Sequence, residues 1–361
     1  MSDLIGNVYL NYQDMMRKTN NLDTPFGVIG RELDSVNEFI TDLPLVQASN
    51  MEYDEGSFIE PWRKDAHSDL ADFQSPYFSH DFDTYGRKDT VFLRKSAIAM
   101  KRNDYRKNPS EMENYRMKQT QLTIADIMRD MSDDFVHGNP KKDFRHAIGL
   151  EARFDMLTDM DGKILAGEHK GEINPYITLD AGGRNQSEET PKLTSVYMLI
   201  PSDMGVCRIY PTGGDFTGGI SYLPGDWTRI QETDRVTGKT GWNDERVDFL
   251  DVCQGLCFRN RRAGLRIANI DMNTDDGMKK FIDTYYEACE VMQECTVKGQ
   301  IILYANSRMR VQLKKYFNKL KNPITAVAAK PEAANQMDYY IDESVKIRPN
   351  NHITCAEATM V

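Results

Sequence analysis

No stretch of this chain is apolar for anything like the about 20 residues that a bilayer-spanning helix needs, and Met1-Ser2-Asp3 carries no basic lead-in of the kind that opens a signal peptide. The expectation is a protein made and kept in the cytoplasm. Histidine is scarce, at six residues, and the six cysteines at 207, 253, 257, 289, 295 and 355 are scattered through apolar surroundings. Cys253 and Cys257 are four apart, but no second Cys or His pair stands near them to complete a four-ligand zinc site. In a cytoplasmic protein these thiols stay reduced and read as small buried hydrophobes. Positive charge is short as well: 45 Lys and Arg against 55 Asp and Glu leave a net charge of −10. That balance argues against a general nucleic-acid binder, which must neutralise phosphates. There is no internal repeat and no low-complexity tract.

Catalytic motifs are equally thin. Asp159, Asp161, Gly162 and Glu168 fall at positions three, five, six and twelve of a calcium loop, but Leu157 stands where the first carboxylate belongs and Leu165 at the ninth position. An Asp-Gly hairpin turn accounts for the segment better. Thr237-Gly238-Lys239-Thr240 imitates the end of a phosphate-binding loop, yet its first glycine would fall at Thr233 and no hydrophobic strand leads in, so it reads as a solvated turn. His137 and His146 flank a helix end and a loop and read as structural. No metal, cofactor or catalytic residue is expected. A soluble metal-dependent enzyme built on Asp159, Asp161 and Glu168 is the rival reading.

What is present is an ordinary globular composition, 40% hydrophobic and 28% charged, long enough for one large core or two moderate ones. Ile29, Leu33, Val36, Phe39, Ile40 and Leu43 recur at helical spacing and stop at Pro44. Residues 50–92 carry nine large aromatics without a sustained period, which predicts a long loop or hairpin whose apolar groups are covered by something else. From Gln119 to His137 the residues Leu122, Ala125, Met128, Met131 and Phe135 form a stripe, widened by Ile124 and Ile127, opposite Asp126, Arg129, Asp130, Asp133 and Asp134, and Gly138-Asn139-Pro140 ends the predicted helix. Short strand-like runs typical of antiparallel sheet follow. Then come a helix over about 275–297 on the spacing of Phe281, Ile282, Tyr285, Cys289 and Met292, a strand over Ile301–Tyr304, a helix from Ser307 on that of Met309, Leu313, Phe317 and Leu320, and a small-residue connection over Thr325–Ala334 that reads as mobile. Helices beside short strands indicate an α+β fold. Cys253 and Cys257 lie in a run that reads as half-buried strand. Charge comes in blocks: residues 51–83 hold nine acids against Arg63 and Lys64, and residues 87–118 hold ten Lys and Arg against four acids. An acidic block followed by a basic one fits surfaces that meet on different subunits, or two solvated faces. Methionine is frequent, at 19 residues, which suits surfaces that repack, although core filling explains most of them.

Three blocks carry a family likeness: Gly205-Val206-Cys207-Arg208-Ile209-Tyr210-Pro211-Thr212-Gly213, the Gly219–Gly225 turn, and Gly255-Leu256-Cys257-Phe258 with Arg266-Ile267-Ala268-Asn269-Ile270-Asp271. Together they resemble the core of major capsid proteins of short-tailed bacteriophages, the Hong Kong 97-like shell proteins. Glu32–Pro44, Trp62-Arg63, Tyr304-Ala305-Asn306-Ser307-Arg308 and the tail from Ile347 to Val361 are similar to further motifs of that group in the same order. The acidic, aromatic-rich run after Trp62-Arg63 departs from the family pattern. The resemblance implies an N-terminal arm with a short helix (1–49), an extension loop (50–92), a peripheral domain (93–145) carrying a spine helix over 119–137, an axial domain (146–325), and a final strand returning to the peripheral domain (326–361). It implies hexamers and pentamers in an icosahedral virion shell around double-stranded DNA, made in the bacterial host cytoplasm, with portal, scaffolding and cement proteins as partners and no membrane. An encapsulin-type nanocompartment shares the fold and is the first alternative, ahead of the metal-dependent enzyme. Candidate assembly residues are Glu52, Asp54 and Glu55 of the acidic block, Trp62 and Arg63 at the rim of the loop, and Lys101, Arg102, Arg106 and Lys107 of the basic block.

Overall fold

A computed structural model describes residues 38–59, 84–101, 109–185, 192–213, 216, 218–233, 238, 240–295, 297, 299–320, 328–333, 336–341 and 345–360 of the chain. Glu38–Asp42 is a short helix (α1), and Leu45–Gln47 (β1), Tyr53–Ile59 (β2), Thr84–Thr90 (β3) and Phe92–Lys101 (β4) are strands. The long helix α2 runs from Pro109 to His137, and Leu150–Arg153 forms one more turn, α3. Then follow Ile177–Asp180 (β5), Thr194–Leu199 (β6), Val206–Tyr210 (β7), Ile220–Leu223 (β8), Trp227–Thr233 (β9) and Thr240–Phe258 (β10). A 3-10 turn at Arg261–Ala263 leads into Gly264–Ile270 (β11). The chain continues through Asp275–Gln293 (α4), Ile302–Ala305 (β12), Ser307–Leu320 (α5), Ala328–Ala333 (β13), Gln336–Ile341 (β14) and Val345–Pro349 (β15).

Two sheets organise these elements. In the first, β10 pairs along one edge with β4 and along the other with β9, β8 and β7 in turn, and β1 adds in parallel to β7. The second runs β13-β14-β15-β12-β6-β11-β5, with parallel pairs at β15–β12 and β11–β5, so it is mixed rather than antiparallel. β2 and β3 form a separate two-stranded ribbon.

Period-2 alternation explains the two faces of the first sheet. Ile98, Met100, Asp248, Leu250 and Val252 are buried, whereas Leu93, Ala97, Ala99, Leu223 and Phe249 on the other face are exposed. The buried face meets α2. Pro109 opens that helix where a missing N–H costs nothing. Ile124, Ile127, Met128, Met131 and Phe135 then form its buried stripe. Phe135 sits edge-to-face against Phe39 of α1 and Phe92 of β4, and Phe39 against Tyr304 of β12. The aromatic cluster therefore ties both sheets to the helix. A Cβ on Gly138 would lie 2.4 Å from Asp134 O and 2.5 Å from Ala147 O, so only glycine ends α2 here.

Several expectations are corrected. α2 begins at Pro109 rather than Gln119; its first turns are too polar to show a stripe. Leu122 is exposed and Asp134 is buried, the reverse of the periodicity reading at those two positions, because the buried face is centred on the Ile124 and Ile127 side of the predicted stripe. Of the helix expected to end at Leu43, Glu38–Asp42 is described and the earlier residues lie outside the described ones. Ala328–Ala333, expected as a mobile connection, is an edge strand, the position where Pro331 is tolerated. The tail is strand only at Val345–Pro349, which pairs with β12 and β14 in the second sheet, while Asn351 onward turns and returns a single bridge from Glu357 to Leu193. The 19-residue β10 pairs with β4 as well as with β7 and β8.

Candidate functional site

The densest chemistry among the described residues lies where the β2–β3 ribbon leaves the first sheet. Asp54 and Asp89 are directly opposite one another across the ribbon, an arrangement that repels unless a cation intervenes. Arg87 supplies it: Nη2 lies 2.9 Å from Asp54 Oδ2 and Nη1 2.7 Å from Asp89 Oδ2. Gly56 faces Arg87 across the ribbon, and a Cβ there would meet Arg87 Nη2 at 2.6 Å, so the missing side chain makes room for the guanidinium.

From the body of the molecule, Arg153 of α3 places Nη2 2.7 Å from Asp89 Oδ1, and the Phe258 backbone N–H donates to Asp89 Oδ2 at 3.1 Å. Arg153 also donates to Tyr176 Oη and to the carbonyls of Leu256 and Ile148, and its guanidinium stacks 5.0 Å from the Phe258 ring centroid. At the rim, Arg259 Nη2 lies 3.5 Å from Asp54 Oδ1, and the Ser49 N–H donates to the same oxygen at 3.0 Å. Cys257 Sγ accepts from Arg87 Nη1 at 2.7 Å and stands 3.4 Å from Asp54 Oδ2. Gly255 lets the Thr90 carbonyl close in, since a Cβ there would lie 2.4 Å from it. Burial alone would push the Asp54 carboxyl up, but the hydrogen bond from Arg87 and the charges of Arg259 and Arg87 outweigh it and hold it below its ordinary range. Burial pushes the Tyr176 phenol up, which keeps it neutral beside Arg153. This is a buried ionic joint in which every carboxylate oxygen of Asp54 and Asp89 has a partner.

Two smaller clusters fasten other parts. At the C-terminal end of α2, His137 Nδ1 lies 2.8 Å from Glu151 Oε2 and Nε2 lies 2.7 Å from the His352 carbonyl. Both ring nitrogens face acceptors, so only the imidazolium satisfies both. The Glu151 hydrogen bond accordingly raises the His137 pKa against the opposing effect of burial. His146 pairs with Asp134 at 2.7 Å and His352 with Asp133 at 3.1 Å. The Arg266–Asp271 motif clasps the tail: Arg266 Nη2 lies 3.0 Å from Glu357 Oε2, and Asn269 exchanges hydrogen bonds of 2.8 and 2.9 Å with the Met360 backbone. Asn269 adopts φ 56°, a left-handed conformation that asparagine tolerates. Burial pushes the Glu357 carboxyl up, with Arg266 offsetting it only in part.

The sequence candidates are distributed unevenly over this geometry. Asp54, expected on a surface facing another subunit, is buried and paired within its own chain. The physical reason lies in the ribbon itself: the acids of β2 face the basic residues of β3, with Asp54 bonded to Arg87 and Glu55 in register with Lys88. Glu52 and Glu55 are exposed. Lys101 ends β4 in register with Glu245. Trp62, Arg63, Arg102, Arg106 and Lys107 lie outside the described residues. Asp159 Oδ1 accepts from the N–H groups of Asp161 and Lys163, forming the turn expected around Gly162. Among the described residues no three His, Cys, Asp or Glu side chains gather as metal ligands. Arg87, Asp89, Arg153 and Arg259 were not singled out from the sequence; the one available signal was a pair of opposite charges two apart, Arg87 and Asp89, on one face of a strand-like run.

The architecture matches solved shells. Over 89% of this chain and 88% of the other, it superimposes on the capsid structure of bacteriophage Epsilon15 with a TM-score of 0.56 at 14% identity. The bacteriophage JBD30 capsid gives 0.49 at 10% identity over 89% and 92%, and the SrpI encapsulin of Synechococcus elongatus gives 0.36 at 12% identity over 66% and 90%. No curated protein matches the chain. The fold is thus that of the Hong Kong 97-like capsid proteins, of the α+β class. Residues 95–361 match the family model described as Major capsid protein GP7, and the chain belongs to that family. It is a major capsid protein of a tailed bacteriophage, a component of the virion shell that associates with copies of itself, and its family role is structural rather than catalytic.

Proposed function

We propose that this shell protein assembles as hexamers and pentamers into an icosahedral capsid enclosing double-stranded DNA. It is made in the cytoplasm of the bacterial host and works with portal, scaffolding and cement proteins. Support comes from the exposed face of the first sheet, where Phe249 is half exposed and in register with Leu223 on one side and Ala97 on the other. A contiguous apolar sheet face left open in the single chain is a surface for association. In this reading the ribbon with residues 60–83 is the extension loop, α2 is the spine helix, and the second sheet with α4 and α5 is the axial domain. Glu52, Glu55, Trp62 and Arg63 then contact a neighbouring subunit, as do Lys101, Arg102, Arg106 and Lys107. Many weak heterologous contacts that close into rings suit such a shell. The net charge of −10 leaves DNA held loosely.

Electron microscopy of the purified protein under assembly conditions is the test. Closed icosahedral particles are expected. A monodisperse monomer at high concentration in physiological salt overturns the reading, and small shells filled with protein cargo favour an encapsulin-type compartment.

A further inference from the structure

We propose that Cys207 and Cys257 form a redox site: the two thiols close to a cross-strand disulfide that staples β7 to β10 beneath the root of the β2–β3 ribbon. The two residues are register partners on adjacent antiparallel strands. Their side chains therefore point to the same face, with Cα atoms about 4.5–5.5 Å apart, inside the roughly 4.4–6.8 Å that a disulfide requires. Both are fully buried, and with Ala48 and Ile209 they form a small cluster of their own apart from the main core. None of the other four cysteines has a cysteine as its strand partner; Cys253, the one of them in a paired strand, faces Leu93.

Their electrostatic setting is unusual for inert core thiols. Arg87, Arg153 and Arg259 bring three positive charges to the joint, against two negative charges from Asp54 and Asp89. Cys257 Sγ lies against Arg87 Nη1, the position that one further negative charge would occupy. Contact with Cys207 and burial push the Cys257 thiol up, and the charge of Arg87 opposes them. A guanidinium against the sulfur favours the thiolate that thiol–disulfide exchange needs once the pair opens to solvent.

The oxidant is a small-molecule disulfide. One protein thiolate attacks one of its sulfurs and expels a small thiolate, which leaves as the thiol. The second cysteine sulfur then attacks the protein sulfur of the mixed disulfide, losing its proton to the second small thiolate as that leaves. Two cysteine thiols are oxidised and one small disulfide is reduced to two thiols. Because both sulfurs are buried, exchange waits on local opening of the ribbon root. In a reducing cytoplasm the pair stays open, and outside the cell it closes. That timing rests on the virion reading above; the bond itself does not.

The test incubates the purified full-length chain with oxidised glutathione, blocks remaining thiols, and maps tryptic peptides without reduction. The expected result is a linked peptide pair joining Cys207 to Cys257, two hydrogens lighter than the sum of its parts. A higher melting temperature should accompany it and be lost on adding dithiothreitol. Cys257→Ser should remove the link, and Cys207→Ala serves where that variant fails to fold. Both cysteines recovered as blocked free thiols after prolonged oxidation overturn the proposal, as do links confined to Cys289, Cys295 or Cys355. The readout is made on the soluble chain, so it stands whether or not shells form.

Discussion

Replacing Asp89 by alanine should be among the most damaging single changes available in this chain. The carboxylate receives Arg87 Nη1, Arg153 Nη2 and the Phe258 N–H, and its side chain is 1% exposed. After its removal Arg87 keeps Asp54, but Arg153, 2% exposed, keeps only neutral acceptors. Breaking a buried pair from one side costs about 3–5 kcal/mol, because the remaining charge stays desolvated. Against a total stability of roughly 5–15 kcal/mol that is a large share. The loss should appear as a lower midpoint in urea unfolding of the unassembled protein, followed by far-ultraviolet circular dichroism. Asp89→Leu combined with Arg153→Met should cost much less than the sum of the single changes, since an apolar pair leaves no orphaned charge. Arg129→Ala provides the contrast: that exposed side chain pairs with exposed Asp126, and its loss should stay within about 0.5 kcal/mol. An Asp89→Ala protein within about 1 kcal/mol of the parent, or a double variant no better than additive, would refute the buried joint.

The pH dependence has two limbs. Asp54 titrates below its ordinary 3.8, so its contribution is present above that pH and disappears as pH falls through the depressed value. His137 titrates above 6.5, so its contribution is complete below pH 6.5 and is lost as pH rises through the raised value; His137→Gln should flatten the melting temperature between pH 6 and 9. Gly255→Ala should push the Thr90 carbonyl away and make the ribbon root susceptible to limited proteolysis, and an unchanged digestion pattern would count against the close approach. Phe249→Arg should leave thermal unfolding of the single chain within about 0.5 kcal/mol while abolishing particles in light scattering; normal assembly would show that this face is not a contact.

Elements with local signals were legible. The spacing of Phe281, Tyr285 and Met292 marked α4, and Thr274 caps it by accepting from the Gly277 N–H, as its place before Asp275 and Asp276 suggests. Met309 and Leu313 marked α5 in the same way. The ionic joint was not legible, because its members come from residues 54, 87–89, 153 and 257–259 and are brought together only by sheet register. At Asp54 the charge blocks misled for a related reason. An acidic run followed by a basic run also describes the two arms of one antiparallel ribbon, and nothing local separates that from a pair of subunit surfaces. β13 was missed because alanine, lysine and proline carry no strand signal at an edge.

At about 3.3 Å per residue, the 19 residues of β10 make an unbroken rod on the order of 60 Å long. It is bonded to β9 near one end, to β4 and β8 along its middle, and to β7 at the other, where Cys257 and Phe258 meet the ionic joint. Such a spar does not shorten, so a force applied at its β9 end arrives at the joint as displacement or torque rather than being absorbed in between. The three guanidiniums and two carboxylates at its foot fasten that end of the spar to the root of the β2–β3 ribbon.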